Sequence, residues 1–381
     1  MVEQNYQMCT RCVMDTTDPE ISFDDQGVCN HCHEFDEVTT KRWFPNEEGK
    51  QKLAETVANI KEAGRGQEYD CIIGLSGGVD SSYLAVMIKD YGLRPLVVHV
   101  DAGWNSELAV YNIEQVVKYC GFDLHTHVMD WDEIRDLQVS YLRAGIANQD
   151  VIQDHAFFAS LYHFAVKSKI KYVISGGNIA TEGVFPSAWH HSAMDAVNLH
   201  AIHKKFGQIK LKQYKTINVF QYYLYYPFIY KMKTVRPLNF MDYDKQHALD
   251  FLKQEVGYKE YGRKHGESVF TKFFQNHYLP VKFGYDKRRP HLSSMILSGQ
   301  LSREGALAEL DKLLYDDREL KDDLAYVAKK LHIPLEELNG YISSPGRDYS
   351  EFKNWDKIFQ VLKKTQRLTE RLLGRKMNNY A

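Results

Sequence analysis

Between residues 70 and 130, short apolar runs alternate with amphipathic stretches. Cys71 to Leu75 is an apolar run that ends in a glycine-rich turn. From Val79 to Tyr91 the apolar residues Leu84, Ala85, Val86 and Ile88 have helical density, and Gly92 closes the segment. Pro95 to Val100 (PLVVHV) reads as a second strand, Glu107 to Tyr119 as a helix stopped by Gly121, and Leu124 to Met129 as a third strand. A helical stretch from Asp154 to Lys169 precedes the strand Tyr172-Val-Ile-Ser, and Val235 to Leu238 offers a fifth strand. Strands alternating with helices predict an α/β fold with a parallel sheet and ligands at its carboxyl ends. The loops at Ser76, Asp101 and Gly176 then lie side by side.

Further along, the pattern turns helical. Asp195 to Lys205 predicts a helix, as does Ser302 to Leu314, with Leu307, Leu310, Leu313 and Leu314 on one face. Leu324, Val327, Ala328 and Leu331 mark another helix, stopped by Pro334, and a last one runs from Asn354 to about Leu373. Residues 351–381 carry eight Lys/Arg against three Asp/Glu, so this end is basic and amphipathic; a docked surface helix is favoured over a partner-binding one. The aromatic run Tyr222 to Tyr230 is read as core packing around Pro227 rather than a base-stacking platform. The expected division is a cysteine-bearing segment over 1–45, an α/β domain over 46–245 and a mainly helical substrate or partner region over 246–381.

Composition narrows the classes. With 381 residues the chain can bury a sizeable core. Lys+Arg number 48 and Asp+Glu 50, so no global field favours nucleic acid or an anionic membrane, and neither is expected as a partner. Aromatic residues at 13% argue against disorder. No apolar run reaches membrane-spanning length, and the opening MVEQNYQMCTRC lacks the tripartite pattern of a secretory signal, so a cytoplasmic protein is expected.

Four of the six cysteines form one pattern: Cys9 and Cys12, then Cys29 and Cys32, two knuckles joined by a turn around Asp24 to Gly27. Each knuckle aims two thiolates at one point, the donor set of a closed tetrahedral zinc site with a structural role. An iron–sulfur cluster is the alternative, since four thiolates also suit iron. His31 and His33 are spare candidates. Disulfides are disfavoured in a chain without a secretory signal.

The strongest catalytic pattern is Ser76-Gly77-Gly78-Val79-Asp80-Ser81-Ser82, placed between a strand and a helix. It lacks the lysine of a Walker A loop and is not G-x-G-x-x-G. Backbone N–H groups and a helix N-terminus at one spot suit phosphate. The stretch resembles the SGGxDS signature of PP-loop ATP pyrophosphatases. Taken with CTRCVMDTTDP, GVCNHC, HVDAGWNSELA, TEGVFPSAW, YGRKHGESVFTKFFQNHYLP and KFGYDKRRPHLSSMILSGQ, the chain resembles the N-acetyl sugar amidotransferases of surface-polysaccharide and flagellar-sugar biosynthesis, to about Leu314.

That resemblance implies ATP-dependent conversion of an acetamido group on a nucleotide-activated sugar to an acetamidino group, with release of AMP and pyrophosphate. Ammonia would come from a separate glutaminase, with a barrel subunit resembling that of imidazole-glycerol-phosphate synthase. Met1-Val2, Cys71 and Cys120 offer no glutaminase nucleophile, which agrees with a synthetase subunit acting with partners. Asp80 is the nearest candidate ligand for Mg2+. By analogy, the strand end with His99 and Asp101 holds adenosine, and Gly176, Gly177 and Asn178 face the nucleotide.

Lys264, Lys287 and Arg288 are candidate phosphate binders and catalytic residues. Glu182, Trp189, Asp195, Asn198 and His265 are candidates for the sugar site. Trp189-His190-His191 with His200 and His203 offers the donor type of a metal site, but ordinary surface or substrate-facing histidines are favoured. Two rivals stay open: a tRNA-modifying PP-loop enzyme of the thiolase kind, and a non-catalytic zinc-ribbon scaffold that binds nucleotide only for regulation.

Overall fold

The computed structural model describes residues 6–261 and 266–373. Its centre is a parallel sheet of strands β1 Cys71–Gly74, β2 Pro95–Asp101, β3 Leu124–Val128, β4 Tyr172–Ile174 and β5 Lys233–Val235. The spatial order is β3-β2-β1-β4-β5, with β1 in the middle. Ile72 pairs with Leu96 on one side and Val173 on the other, so β1 is fully enclosed. This explains its unbroken apolar character.

Successive residues of β1 serve opposite faces. Cys71 and Ile73 join Leu84, Ala85, Ile88, Ile113 and Val116, beneath the helices Val79–Asp90 and Glu107–Cys120. Ile72 joins Ala159, Tyr162 and Ala165 of the helix Val151–Lys167 on the other face. Helix ends follow local chemistry. Ser106 accepts the Ala109 N–H to start one helix, and Gly121 ends it in the left-handed region at φ 68°.

Two elements depart from expectation. β5 starts at Lys233, two residues early, because Pro237 begins a 3-10 turn over Pro237–Phe240. The helix Trp131–Ala144, capped by Asp130, has no counterpart in the sequence reading; it closes the core around Ile134, Leu137 and Tyr141. In the Tyr222 to Tyr230 run, Tyr226 is buried and Tyr222, Tyr223, Tyr225 and Tyr230 pack partly buried against the core that holds Trp355 and Tyr162, whereas Leu224, Phe228 and Ile229 are exposed.

The C-terminal region is helical: Arg288–Leu297, Arg303–Leu310, Asp317–Leu331, Leu335–Ser343 and Asp356–Leu373. The cysteine segment rests directly on the first two of these. Arg303 donates to the carbonyls of Cys12 (3.1 Å) and Cys9 (2.9 Å). Arg289 reaches the Val13 carbonyl (2.8 Å) and pairs with buried Asp15 (2.9 Å). The Val13 N–H donates to Ser293 Oγ at 3.2 Å. Among the described residues, no helix is long and apolar enough to cross a membrane.

Candidate active site

The strand order reverses between β1 and β4, and the loops after these two strands meet there. Such a switch point at the carboxyl end of a parallel sheet is a natural crevice for ligands. Here it opens into a cleft of about 2670 Å³ lined by Ser76, Gly78, Asp80, Ser81, Gly176 and Gly177, among others.

The first loop is built for close backbone approach. Gly77 takes φ +86°, and a Cβ there would sit 2.9 Å from the Ala109 carbonyl oxygen. The Ser76 and Ser81 hydroxyls lie 3.1 Å apart, and Ser76 Oγ accepts the Gly78 N–H at 3.3 Å. The helix Val79–Asp90 starts at Gly78 with no side-chain cap, so N–H groups of its first turn are left for an anion. Gly176 brings the second loop onto the first: a Cβ there would lie 3.2 Å from Ser81 N and from the Asp80 carbonyl carbon.

Tyrosines outside the motif brace this loop. Tyr258 and Tyr261 both donate to the Gly77 carbonyl, each at 2.9 Å. Buried Asn112 holds their segment through two 2.8 Å bonds to the Lys259 backbone. Tyr243 donates to Asp80 Oδ1; burial and that carboxylate hold its phenol well above the usual range. These residues were not singled out from sequence. Their only trace is a Tyr at i and i+3 ahead of the glycine- and lysine-rich segment.

The other expected nucleotide residues divide. His99 lines the cleft and is locked in one tautomer: its Nδ1–H donates to the Leu75 carbonyl (2.9 Å), so Nε2 accepts from Asn105 (3.0 Å). Asp101 instead shapes the next turn, accepting from Gly103 N at 2.7 Å and Asn105 at 3.0 Å. Asn178 is buried and shapes its own loop, capping Thr181 N (3.0 Å) and donating to the Gly176 carbonyl (3.3 Å). Ser82 is fully buried on the helix behind the loop.

Of the other candidate residues, Glu182 and Lys287 line the cleft. Lys287 stands 4.9 Å from the ring of half-exposed Phe185. Arg288 reaches the cleft wall, but its guanidinium is engaged by Asp286 and by the carbonyls of Glu309, Leu310 and Lys312, which places it as a brace at the end of the helix Arg303–Leu310. Trp189 is buried against Tyr285, ring centroids 4.6 Å apart, in the core beneath the cysteines. Asp195 caps its helix at Val197 and Asn198 and also accepts from Trp355 N at 2.9 Å; Asn198 ties to the Tyr349 carbonyl at 3.0 Å. Trp189, Asp195 and Asn198 are thus joints in the scaffold, and they do not line the cleft. Lys264 and His265 lie outside the described residues.

Cys71 and Cys120 are buried in one core cluster; burial pushes the Cys71 thiol up and the Cys120 thiol to about 12. Neither is a nucleophile at neutral pH.

Cys9, Cys12, Cys29 and Cys32 gather with their sulfurs within 4.8 Å of one another. Neighbouring pairs are 3.6 to 3.8 Å apart, far beyond a disulfide bond. A tetrahedron with metal–sulfur bonds of about 2.3 Å has edges of about 3.8 Å. The donor set therefore fits a single tetrahedral ion and leaves no room for a multi-iron cluster. Cys9 Sγ accepts N–H groups from Arg11, Cys12 and Cys29 at 3.3 to 3.4 Å, which suits a thiolate. His31 and His33 turn away, to Asp18 and Asp24. His203 and His200 are likewise engaged, with Asp136 and Thr216.

Residues 267–366 match the family described as "LPS biosynthesis protein WbpG-like, C-terminal domain". No curated protein matches the chain. Distant similarity extends to many solved structures. An NH3-dependent NAD synthetase from Campylobacter jejuni is 14% identical, covering 41% of this chain and 72% of its own, with a TM-score of 0.29. An NMN synthetase from Francisella tularensis is 13% identical, covering 75% of this chain and 94% of its own, with a TM-score of 0.35. The fold assignment rests on the strand order and the loop geometry themselves.

Proposed function

We propose that this chain is the ATP-using synthetase component of an N-acetyl sugar amidotransferase. The observation that carries the reading is the Ser76–Ser82 loop. It lies at the carboxyl end of the central strand, at the switch point, with an uncapped helix start and a second glycine loop packed against it. The match of residues 267–366 to a lipopolysaccharide-biosynthesis family supports a sugar acceptor.

An amide carbonyl resists ammonia because its oxygen is a poor leaving group. In the proposed reaction the amide oxygen attacks the α-phosphorus and pyrophosphate departs. Ammonia then adds to the carbon, and AMP leaves to give the amidine. The loop N–H groups and the first turn of the helix Val79–Asp90 would hold the phosphates and take up charge on the departing pyrophosphate. Mg2+ would neutralise phosphate charge, and Asp80, already oriented by Tyr243, is the residue to hold it. A structural Zn2+ would sit among Cys9, Cys12, Cys29 and Cys32. Partner subunits, a glutaminase and an ammonia-channelling barrel, belong to the same reading, since Cys71 and Cys120 provide no amidohydrolase nucleophile.

The test is pyrophosphate release from Mg-ATP with ammonium chloride and a panel of nucleotide-activated acetamido sugars, products read by mass spectrometry for replacement of oxygen by NH. Sugar-dependent release with amidine formation is expected, and Asp80→Asn should lower it by at least about 10²-fold without changing the fold. Release stimulated by tRNA and not by any sugar would overturn the assignment.

A further inference from the structure

The helix Val151–Lys167 turns one face to the cleft, carrying Asp150, Gln153, Asp154, Phe157, Phe158 and Leu161. Their spacing of three and four residues is one stripe of a helix. The apolar half of the stripe abuts the nucleotide loop: a Cβ on Gly74, two residues before Ser76, would lie 2.0 Å from Phe157 Cζ. Asp154 is one turn away, about 4.5 Å along the helix axis from Phe157. Asp154 thus lines the same cleft as the glycine loop, one turn from the residue that touches Gly74, and lies within electrostatic reach of Lys287.

The groups around it differ in what they can do with a proton. Asp150, one turn back, is held by Thr271 (3.1 Å) and Gln153 (3.1 Å). His190 accepts from Asn148 Nδ2 at its Nδ1 (3.2 Å), which puts its proton on Nε2; burial and Lys287 depress its basicity to about 4. It is a donor and a poor base. Lys287 is a cation. Glu267, beside Gly78, belongs to the phosphate end, as does Glu182 beside Gly177. Asp154 accepts no hydrogen bond among the described residues. It is open to the cleft solvent, yet stands between protein walls.

On the reading of the site as an amidotransferase, we infer that Asp154 is the catalytic base that takes a proton from the incoming ammonia as it bonds to the adenylated amide carbon. In that step the nitrogen lone pair forms the C–N bond. The C–O bond to AMP then breaks, its electron pair leaving with AMP. One N–H proton passes to the Asp154 carboxylate. Confinement and the Asp150 carboxylate raise the Asp154 carboxyl to about 7, against the pull of Lys287. That value suits a base working near neutrality.

The two half-reactions separate this role from others. In the full-length protein, Asp154→Asn should keep sugar-dependent exchange of labelled pyrophosphate into ATP within about threefold. It should lower ammonium-dependent amidine formation by about 10²- to 10⁴-fold, and Asp154→Glu should restore part of the rate. With rates expressed per free ammonia, the wild type should fall off below about pH 7 and the Asn variant should lose that limb. Normal exchange with undiminished amination in Asp154→Asn overturns this inference alone. Exchange and amination falling together would also overturn it and make Asp154 a binding residue. A wild type without sugar-dependent exchange would overturn the underlying reading as well.

Discussion

The two tyrosine hydroxyls on the Gly77 carbonyl provide a quantitative test of how the phosphate loop is held. Gly77 is buried, and its φ of +86° is a left-handed conformation that a side chain would strain. Tyr258→Phe or Tyr261→Phe alone removes one of two donors, and the carbonyl keeps the other, so each should cost about 1 kcal/mol. The double variant leaves a buried carbonyl with neither tyrosine donor and adds its desolvation penalty, about 1–3 kcal/mol. The pair should therefore be worse than the sum of its parts by about 1 kcal/mol or more, a coupling typical of groups that share a partner. The rings themselves stay in place, edge to face at 6.1 Å, so packing is not confounded. Urea unfolding of the four proteins in the cycle measures the coupling, and ATP-dependent pyrophosphate exchange reads its effect on the loop. Strict additivity within about 0.3 kcal/mol would refute the shared-acceptor argument.

Removing a thiolate should act through folding. On the reading that the four thiolates hold one zinc ion, Cys12→Ser or treatment with a strong chelator should release it and reduce the thermal midpoint sharply, measured by metal analysis and circular dichroism; an unchanged melt in metal-free protein would contradict it. Acid should weaken the fold through His155, which is fully buried, donates from Nδ1 to the Ala193 carbonyl (2.7 Å) and accepts the Ile217 N–H at Nε2 (3.0 Å). Burial lowers it from 6.5 to about 4, so the unfolded chain binds the extra proton first. Stability present above pH 6.5 is then lost as pH falls toward 4, by roughly 3 kcal/mol. Urea midpoints at about pH 7.5 and about pH 5 should differ more for wild type than for His155→Gln, and equal differences would remove the assignment.

How far the sequence reaches depends on how local each signal is. β1 and β2 were legible because burial on both faces turns them into apolar runs, and the cysteine knuckles because two ligands two residues apart already define half a site. The bracing of the loop was not. Tyr258 and Tyr261 meet Gly77 from more than 180 positions away, through hydroxyl-to-backbone bonds that leave no periodic mark. Asp154 reads as the solvent side of an amphipathic helix, and only the sheet order turns that side into a cleft wall. The run Lys287-Arg288-Arg289 looks uniform as charge, yet its members face three ways: to the cleft, to the carbonyls of residues 309–312, and to Asp15. Trp189, Asp195 and Asn198 were candidates only through the stretch they fall in, and their contacts with Tyr285, Trp355 and Tyr349 come from distant positions that leave no local mark.

The helix Arg288–Leu297 gives the thiolate site a consequence beyond stability. Its first residues bind the cysteine segment through Arg289 and Ser293, while His291 donates to the Thr181 carbonyl (2.8 Å) and Ser294 accepts the Val184 N–H (2.9 Å). Thr181 is in turn capped by Asn178, whose side chain holds the Gly176 carbonyl. A chain of hydrogen bonds, part-buried or buried, thus runs from the cysteine segment, along one helix, to the second glycine loop, and Lys287, which lines the cleft, stands at the start of that same helix. Positioning errors of about 1 Å can reduce catalysis by about 10²-fold. A metal held by the four thiolates at the far end of this element would tie the register of both cleft walls to it, a role that fits a segment of this size packed against the sheet and not left as a separate module.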